Sequence, residues 1–124
     1  IFTGRYQEAH KVLKQSYKIY KDVYGKTFSN TGWIQGLLGL SYAFLHDFNR
    51  AHKYLNRAHT ISQTLFGEKS CETEKAISYK GILSFLEGKK DEAKQYFETA
   101  RRVLIQNKHP IPKYLGEYLE KSKK

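Results

Sequence analysis

A segment of about a dozen residues occurs three times in this chain, at an interval of 42 residues. Its clearest marker is an alanine, since Ala51 has counterparts at Ala9 and Ala93. The same interval relates other small and large apolar residues, namely Leu13, Leu55 and Phe97; Ser16, Ala58 and Ala100; and Gly39 and Gly81. Apolar residues that recur at a fixed period of this length indicate a chain of stacked structural repeats. The repeat restricts the possible folds more than any other feature of the sequence.

Between these markers the sequence predicts helices and turns only. Apolar residues recur at intervals of three and four, as on amphipathic helices, over residues 6–23, 33–45, 48–65, 74–86, 90–105 and 113–120. Asp47 and Ser70 are predicted to cap helix starts, because their side chains can accept orphan backbone N–H bonds. Gly25, Gly67 and the turn around Gly88 are predicted to end helices. The fold is therefore predicted to be all-α, with antiparallel helix pairs joined by short turns.

Glycines inside the second helix predict close contact between helices. Gly36 and Gly39 each cost up to about 1 kcal/mol relative to alanine in a helix. Such a cost is tolerable where the missing side chain lets a neighbouring helix approach. We expect Gly39 to face Ala51 of the following helix, and Gly81 to face Ala93.

Composition limits the class of protein. No run approaches the ~18 apolar residues that span a bilayer, and the lone Cys71 cannot form an internal disulfide. A reducing, cytoplasmic setting fits this composition. The 22 basic residues exceed the 12 acidic ones, giving a net charge of +10, which favours an acidic peptide, nucleic acid or anionic lipid as partner. Because the chain lacks methionine and opens in the middle of a repeat, we expect it to be a piece of a longer protein.

Catalytic and metal chemistry find no support in the sequence. His52 and His59 are seven residues apart, roughly 10 Å along a helix, which is too far to share an ion directly. There is no glycine-rich loop to cradle a phosphate, and Cys71 has no histidine near it in sequence. We therefore predict no enzyme activity, no cofactor and no metal site.

The spacing within each unit resembles the tetratricopeptide repeat. The matching motifs are Gln35-x-x-Leu38-Gly39-x-x-Tyr42 followed by Ala51, Leu55 and Ala58, and Ile77-x-x-Lys80-Gly81-x-x-Ser84 followed by Ala93, Phe97 and Ala100. The resemblance implies a single right-handed α-solenoid over residues 1–124. Its register would be 1–25 for the second half of a repeat, 30–67 and 71–107 for two full repeats, and 111–121 for a trailing or capping helix.

The long units are similar to those of the kinesin light chain subclass. The usual repeat has 34 residues, and the extra residues here fall between Ala58 and Gly81. Leu65-Phe66-Gly67 and Lys108-His109-Pro110 fit that subclass. Kinesin light chains, however, carry asparagines on the helix that lines the groove, where this chain has Gly36-Leu37 and Ser78-Tyr79. Their cargo-peptide specificity is therefore not expected here.

The resemblance implies a protein-interaction module that holds a peptide or helix in a concave groove lined by the first helix of each pair. The groove candidates are Trp33, Leu37, Leu40, Lys75, Tyr79 and Ile82. Trp33 and Tyr79 would be aromatic anchors, and Lys75 would pair with a carboxylate. The alternative for Trp33, Leu40 and Ile82 is that they only pack between repeats.

A basic stripe lies on the first helix, at Lys11, Lys14, Lys18 and Lys21. It is either a solvated outer face or a docking patch. The residues 42 and 84 positions later are not basic throughout, whereas a protein that reads one RNA base per repeat needs matching side chains in every unit. A scaffold for nucleic acid or an acidic membrane surface, and a self-associating or regulatory segment of a longer chain, remain the alternative functions. The sequence does not predict an oligomeric state.

Overall fold

The chain folds into consecutive helices. The computed structural model describes the backbone of residues 2–25 and 29–123, and the side chains of residues 7–25 and 32–123. Over these residues all regular structure is helical, in the order α1 (Phe2–Tyr24), α2 (Ser29–Phe44), α3 (Phe48–Phe66), α4 (Cys71–Leu86), α5 (Lys90–Gln106) and α6 (Lys113–Lys123). The all-α prediction is confirmed, and the helix bounds lie within a few residues of the predicted ones.

The helix ends follow from the capping residues in the sequence. Asp47 Oδ1 accepts a hydrogen bond from the Arg50 backbone N–H at 3.3 Å, at the start of α3. Ser70 Oγ accepts one from the Thr73 N–H at 3.1 Å, at the start of α4. Gly67, at the end of α3, has φ of +90°, a backbone conformation that side chains disfavour. Both predicted caps are confirmed.

The helices form two layers. Each helix packs against the next, and α4 also packs against α2 and α6. The backbones of α1 and α3, and of α3 and α5, stay more than 8 Å apart between Cα atoms throughout the described residues. The even-numbered helices are therefore close together on the inner side of the stack, and the odd-numbered helices fan out on its outer side. This arrangement is a tetratricopeptide-like solenoid.

Close approach within each pair depends on one glycine. A Cβ added at Gly39 would lie 2.7 Å from Leu55 Cγ, and one at Gly81 would lie 2.6 Å from the Phe97 ring. The expected close contact is confirmed. The nearest atoms belong to Leu55 and Phe97, one helical turn beyond the expected Ala51 and Ala93.

The core divides into two clusters along the stack. The first contains Leu38, Leu55 and Leu83 among its buried residues. The second contains Phe97 and Leu115. Tyr79 of α4 packs against both clusters, so this helix joins the two halves of the core.

The first copy of the repeated alanine differs from the other two. Ala51 and Ala93 are 0% exposed, whereas Ala9 is exposed. No helix of the described residues covers Ala9, since α1 packs only against α2. Equivalent positions in a repeat predict equivalent packing roles, and this prediction holds for Ala51 and Ala93 and is wrong for Ala9.

Candidate functional site

A cleft lies on the inner side of the stack, where the first halves of α2 and α4 meet the second half of α3. It encloses a cavity of about 230 Å³. Its lining comes from all three helices and consists of Gly32, Trp33, Gly36, Ala58, Ile61, Ser62, Phe66, Glu72, Lys75, Ala76 and Tyr79. A mostly apolar pocket with a few polar groups is typical of a binding site. We call this region the cleft.

Three of the predicted groove residues meet in the cleft. Trp33 is 57% exposed although it is a large aromatic residue. Tyr79 is half-buried, and burial, followed by the charge of Glu74, raises the pKa of its hydroxyl, so this group remains a neutral donor. Lys75 is exposed, and none of the ion pairs within the described residues involves it. The cleft thus joins an accessible indole, a phenol and a cation available to pair.

Two glycines of α2 shape the floor of the cleft in different ways. A Cβ at Gly32 would lie 2.8 Å from Ile61 Cγ2, so this glycine lets α3 approach α2 closely. A Cβ at Gly36 would lie 3.6 Å from Ala58 and 3.7 Å from the Tyr79 ring, which are ordinary van der Waals distances. There is therefore room for a side chain at Gly36, and the lack of one helps to leave the cavity open.

A buried carboxyl group supports α4 next to the cleft. Glu74 is 2% exposed and its Oε1 accepts a hydrogen bond from Ser78 Oγ at 2.7 Å. Burial raises the pKa of Glu74, and the bond from Ser78 opposes this shift. Tyr114 of α6 lies close by, and burial raises the pKa of its hydroxyl to about 12. These polar groups connect α4 to α6 behind the cleft.

The other predicted groove residues lie elsewhere on the inner side. Leu37 is half-buried and does not line the cavity. Leu40 is partly buried against the second core cluster. Ile82 is 4% exposed and belongs to that cluster. Leu40 and Ile82 therefore have the packing role that the sequence left open, and Ile82 is inaccessible to a ligand.

Several cleft residues are absent from the sequence-based set. Ile61, Ser62 and Phe66 come from α3, although only the first helix of each pair was expected to line the groove. Their signal was the continuation of α3 for two turns beyond Ala58, which brings its last turns beside the first turns of α4. Glu72 also lines the cleft, although its place in the first turn of α4 predicts only a favourable interaction with the helix dipole.

The predicted basic stripe lies on α1, away from the cleft. Lys11, Lys14 and Lys18 are exposed. Lys21 is half-buried, with Nζ 5.8 Å from the centroid of the Tyr17 ring. Three of the four lysines are thus accessible, and the fourth lies over an aromatic ring.

The residues that the structure describes contain no group of three or more His, Cys, Asp or Glu side chains placed to hold a metal ion. None of their helices is long and apolar enough to cross a membrane.

The paired helices, their inner and outer layers and the cleft define a helical-repeat interaction module. The family model described as "Tetratricopeptide repeat" matches residues 1–64. The chain belongs to the tetratricopeptide repeat family. Membership identifies it, in general terms, as a protein–protein interaction module of a family that is typically non-enzymatic. A search of curated proteins finds no match to the chain.

Proposed function

We propose that the chain binds a peptide or helix of a partner protein in the cleft, with one large apolar side chain inserted beside Trp33 and Tyr79. The observation that carries this proposal is the exposure of Trp33, 57%, at the mouth of a cavity of about 230 Å³. Exposing an indole to water is unfavourable, and aromatic residues dominate binding energy at protein interfaces. The cavity is smaller than the pockets that hold drug-sized ligands, so its size suits a single side chain.

The charged residues at the cleft give the ligand a direction. Lys75 and Glu72 are three positions apart on α4 and both line the cavity, so they lie on the same face of the helix. A carboxylate of the ligand would pair with Lys75, and an N–H group or a cation would face Glu72. Such polar contacts fix orientation more than they add affinity.

The repeat register supports placing the ligand across two units. Equivalent helices begin at the same interval, since α2, α4 and α6 start at Ser29, Cys71 and Lys113. We infer from this that the chain consists of 42-residue units with the register 1–25, 30–67, 71–107 and 111–121, as in the kinesin light chain type. The cleft then lies between the two full units, where the end of the lengthened α3 meets the first turns of α4.

Selection of peptides from a random displayed library on the wild-type chain supplies ligands for the test. The dissociation constants of the selected peptides are then measured by calorimetry with Trp33→Ala, Tyr79→Ala and Gly36→Leu. The last variant fills the cavity without removing an aromatic ring. Each change is expected to weaken binding by about tenfold or more, as for hot-spot residues. Ile105→Ala is the matched control, because Ile105 is 54% exposed on α5, outside the cleft.

The proposal is wrong if the selected peptides bind Trp33→Ala and Gly36→Leu as tightly as the wild type. Circular dichroism of each variant separates a lost contact from a lost fold.

A further inference from the structure

A furrow runs along the outer side of the stack between α1 and α3. The backbones of these helices stay more than 8 Å apart between Cα atoms in the described residues, and tyrosine rings fill the space between them. The rings of Tyr17 and Tyr54 meet edge to face, with centroids 5.8 Å apart. Tyr54 also stacks on Tyr42 of α2, with centroids 5.6 Å apart. The floor of the furrow is therefore aromatic.

Cationic groups lie over these rings from both sides of the furrow. Their distances to the ring centroids are 5.8 Å for Lys21 over Tyr17, 5.7 Å for Lys53 and for Arg57 over Tyr54, and 5.8 Å for Arg50 over Tyr42. A cation within about 6 Å of a ring centroid is attracted by the ring quadrupole. The rings thus hold the cations in place before any ligand arrives, which reduces the entropy cost of binding.

Lys14 extends the cationic wall on α1. It lies four residues after His10 and three before Tyr17, so the three side chains share one face of α1. His10 Nδ1 lies 2.8 Å from Ser41 Oγ of α2, within hydrogen-bond distance, which fixes the imidazole against α2. Among the described residues Arg50 is the one furrow cation with an ion pair, to Asp47 at 3.2 Å. The other four cations, Lys14, Lys21, Lys53 and Arg57, have no ion pair among the described residues.

The space between α3 and α5, which is the next one along the outer side, lacks this arrangement of cations. In the repeat register the positions of Lys14 and Lys21 correspond to Asn56 and Gln63 on α3. The positions of Arg50, Lys53 and Arg57 correspond to residues 92, 95 and 99 on α5, which are Glu, Gln and Thr. This arrangement of cations is therefore not repeated between α3 and α5.

We propose that the α1–α3 furrow, formed by Lys14, Lys21, Arg50, Lys53 and Arg57, binds a short acidic segment of a protein partner, at a site separate from the cleft. The lysines on α1 and the outer cations on α3 each span seven residues, or about 10 Å of helix. An extended peptide covers that distance with about three or four residues. The occupant is therefore a short run of Asp and Glu residues.

The same observations disfavour a nucleic acid. Single-stranded nucleic acid is bound by rings on which bases stack and by cations that follow several phosphates. Here Tyr17 is 9% exposed and Tyr42 is 6% exposed, and cations already lie over them. The five cation positions are also not repeated between α3 and α5.

A membrane surface fits less well, because two exposed apolar residues of α1, Val12 and Ile19, point elsewhere. Val12 and Ile19 are 59% and 62% exposed, but each precedes a furrow lysine by two residues. Residues two positions apart are separated by roughly 200° around a helix axis. The side chains of Val12 and Ile19 therefore lie nearly opposite Lys14 and Lys21. A flat lipid surface could not meet both groups at once.

The experiment measures binding of a labelled peptide with four glutamates to the full chain by fluorescence anisotropy at low salt. The test variant is the triple change Lys14→Gln, Lys53→Gln and Arg57→Gln. The matched control is Lys90→Gln, Arg101→Gln and Arg102→Gln, which removes the same charge from exposed positions of α5. A single-stranded RNA oligonucleotide and vesicles containing phosphatidylserine serve as the other two probes.

We expect the furrow variant to bind the peptide about tenfold more weakly, from three lost charge contacts, and the control to bind like the wild type. Emission of Trp33, the single tryptophan of the chain, should not change on binding, because it lies in the cleft. The inference is overturned if both triple variants lose binding equally or if the peptide does not bind. It is also overturned if RNA or vesicles bind the furrow more tightly than the peptide. Failure of the cleft proposal would leave these results unchanged.

Discussion

Replacing two glycines of the same helix with alanine should change stability in opposite directions. Gly36 and Gly39 both lie on α2, and alanine is intrinsically favoured over glycine in a helix by about 0.5–1 kcal/mol. At Gly36 the added Cβ finds ordinary contact distances of 3.6 and 3.7 Å. At Gly39 it would lie 2.7 Å from Leu55 Cγ and 3.0 Å from the Leu55 backbone nitrogen.

The magnitude at Gly39 follows from what would have to move. Leu55 is 0% exposed, so its side chain has no free space, and its backbone nitrogen cannot turn away. The α3 helix would therefore shift outward, and overpacking of this kind costs about 1–3 kcal/mol. After subtraction of the helix preference, Gly39→Ala should destabilise the fold by about 1–2 kcal/mol. Gly36→Ala should stabilise it by about 0.5–1 kcal/mol.

Urea and thermal unfolding followed by circular dichroism measure both effects. For a chain of this size each kcal/mol corresponds to roughly 4 °C in Tm. Gly39→Ala should therefore lower Tm by about 4–8 °C, and Gly36→Ala should raise it by a few degrees. A Gly39→Ala variant as stable as the wild type would refute the argument that glycine is needed for α3 to approach α2.

Three further outcomes test other parts of the structure. Glu74→Gln should stabilise the fold at pH 7. Burial raises the folded-state pKa of Glu74, so the wild-type fold loses stability as this carboxyl ionises with rising pH. Glutamine stays neutral and can still accept the hydrogen bond from Ser78, so the variant avoids this loss. The gain should disappear in urea titrations performed below the ordinary pKa of glutamate, and a pH-independent difference would contradict this reasoning. Asp47→Ala should cost about 1 kcal/mol through the lost cap on the Arg50 N–H, measured by the same titrations, with Asp47→Asn as the conservative replacement that keeps a capping oxygen. Ile82→Ala should cost about 2–5 kcal/mol by leaving a cavity in the core, and a loss under about 1 kcal/mol would contradict its assignment to the core.

The sequence predicted the helices and their caps because these depend on local chemistry. Apolar intervals of three and four residues set the helical faces, and Asp47 and Ser70 satisfy backbone N–H groups within their own first turns. The repeat register added the pairing of helices, since Gly39 and Gly81 could be matched by position. It did not give the atoms in contact, because the reach of Leu55 and Phe97 across the interface depends on their side-chain conformation.

The candidate site was predicted only in part, for a similar reason. Trp33, Lys75 and Tyr79 were found from their positions on the first helices of two units. The contribution of Phe66 and Ile61 required the length of α3 relative to the start of α4, which is a tertiary property. The apolar character of Ile82 gave no indication of whether it faced the groove or the core.

The furrow shows the limit of reasoning from one helix at a time. The lysines of α1 were recognised as a stripe, but the cations of α3 that face them are more than 28 residues away in sequence. The two sets come together through tertiary contacts such as the one between Tyr17 and Tyr54.

The central claim, that the cleft holds a partner peptide, is tested most directly by the emission of Trp33. The chain has a single tryptophan, so its fluorescence reports on the cleft alone. On titration with a peptide selected on the wild-type chain, the emission should shift to shorter wavelength as the indole leaves water. The midpoint should equal the dissociation constant measured by calorimetry. Saturable binding of that peptide with no change in the Trp33 emission would contradict the claim.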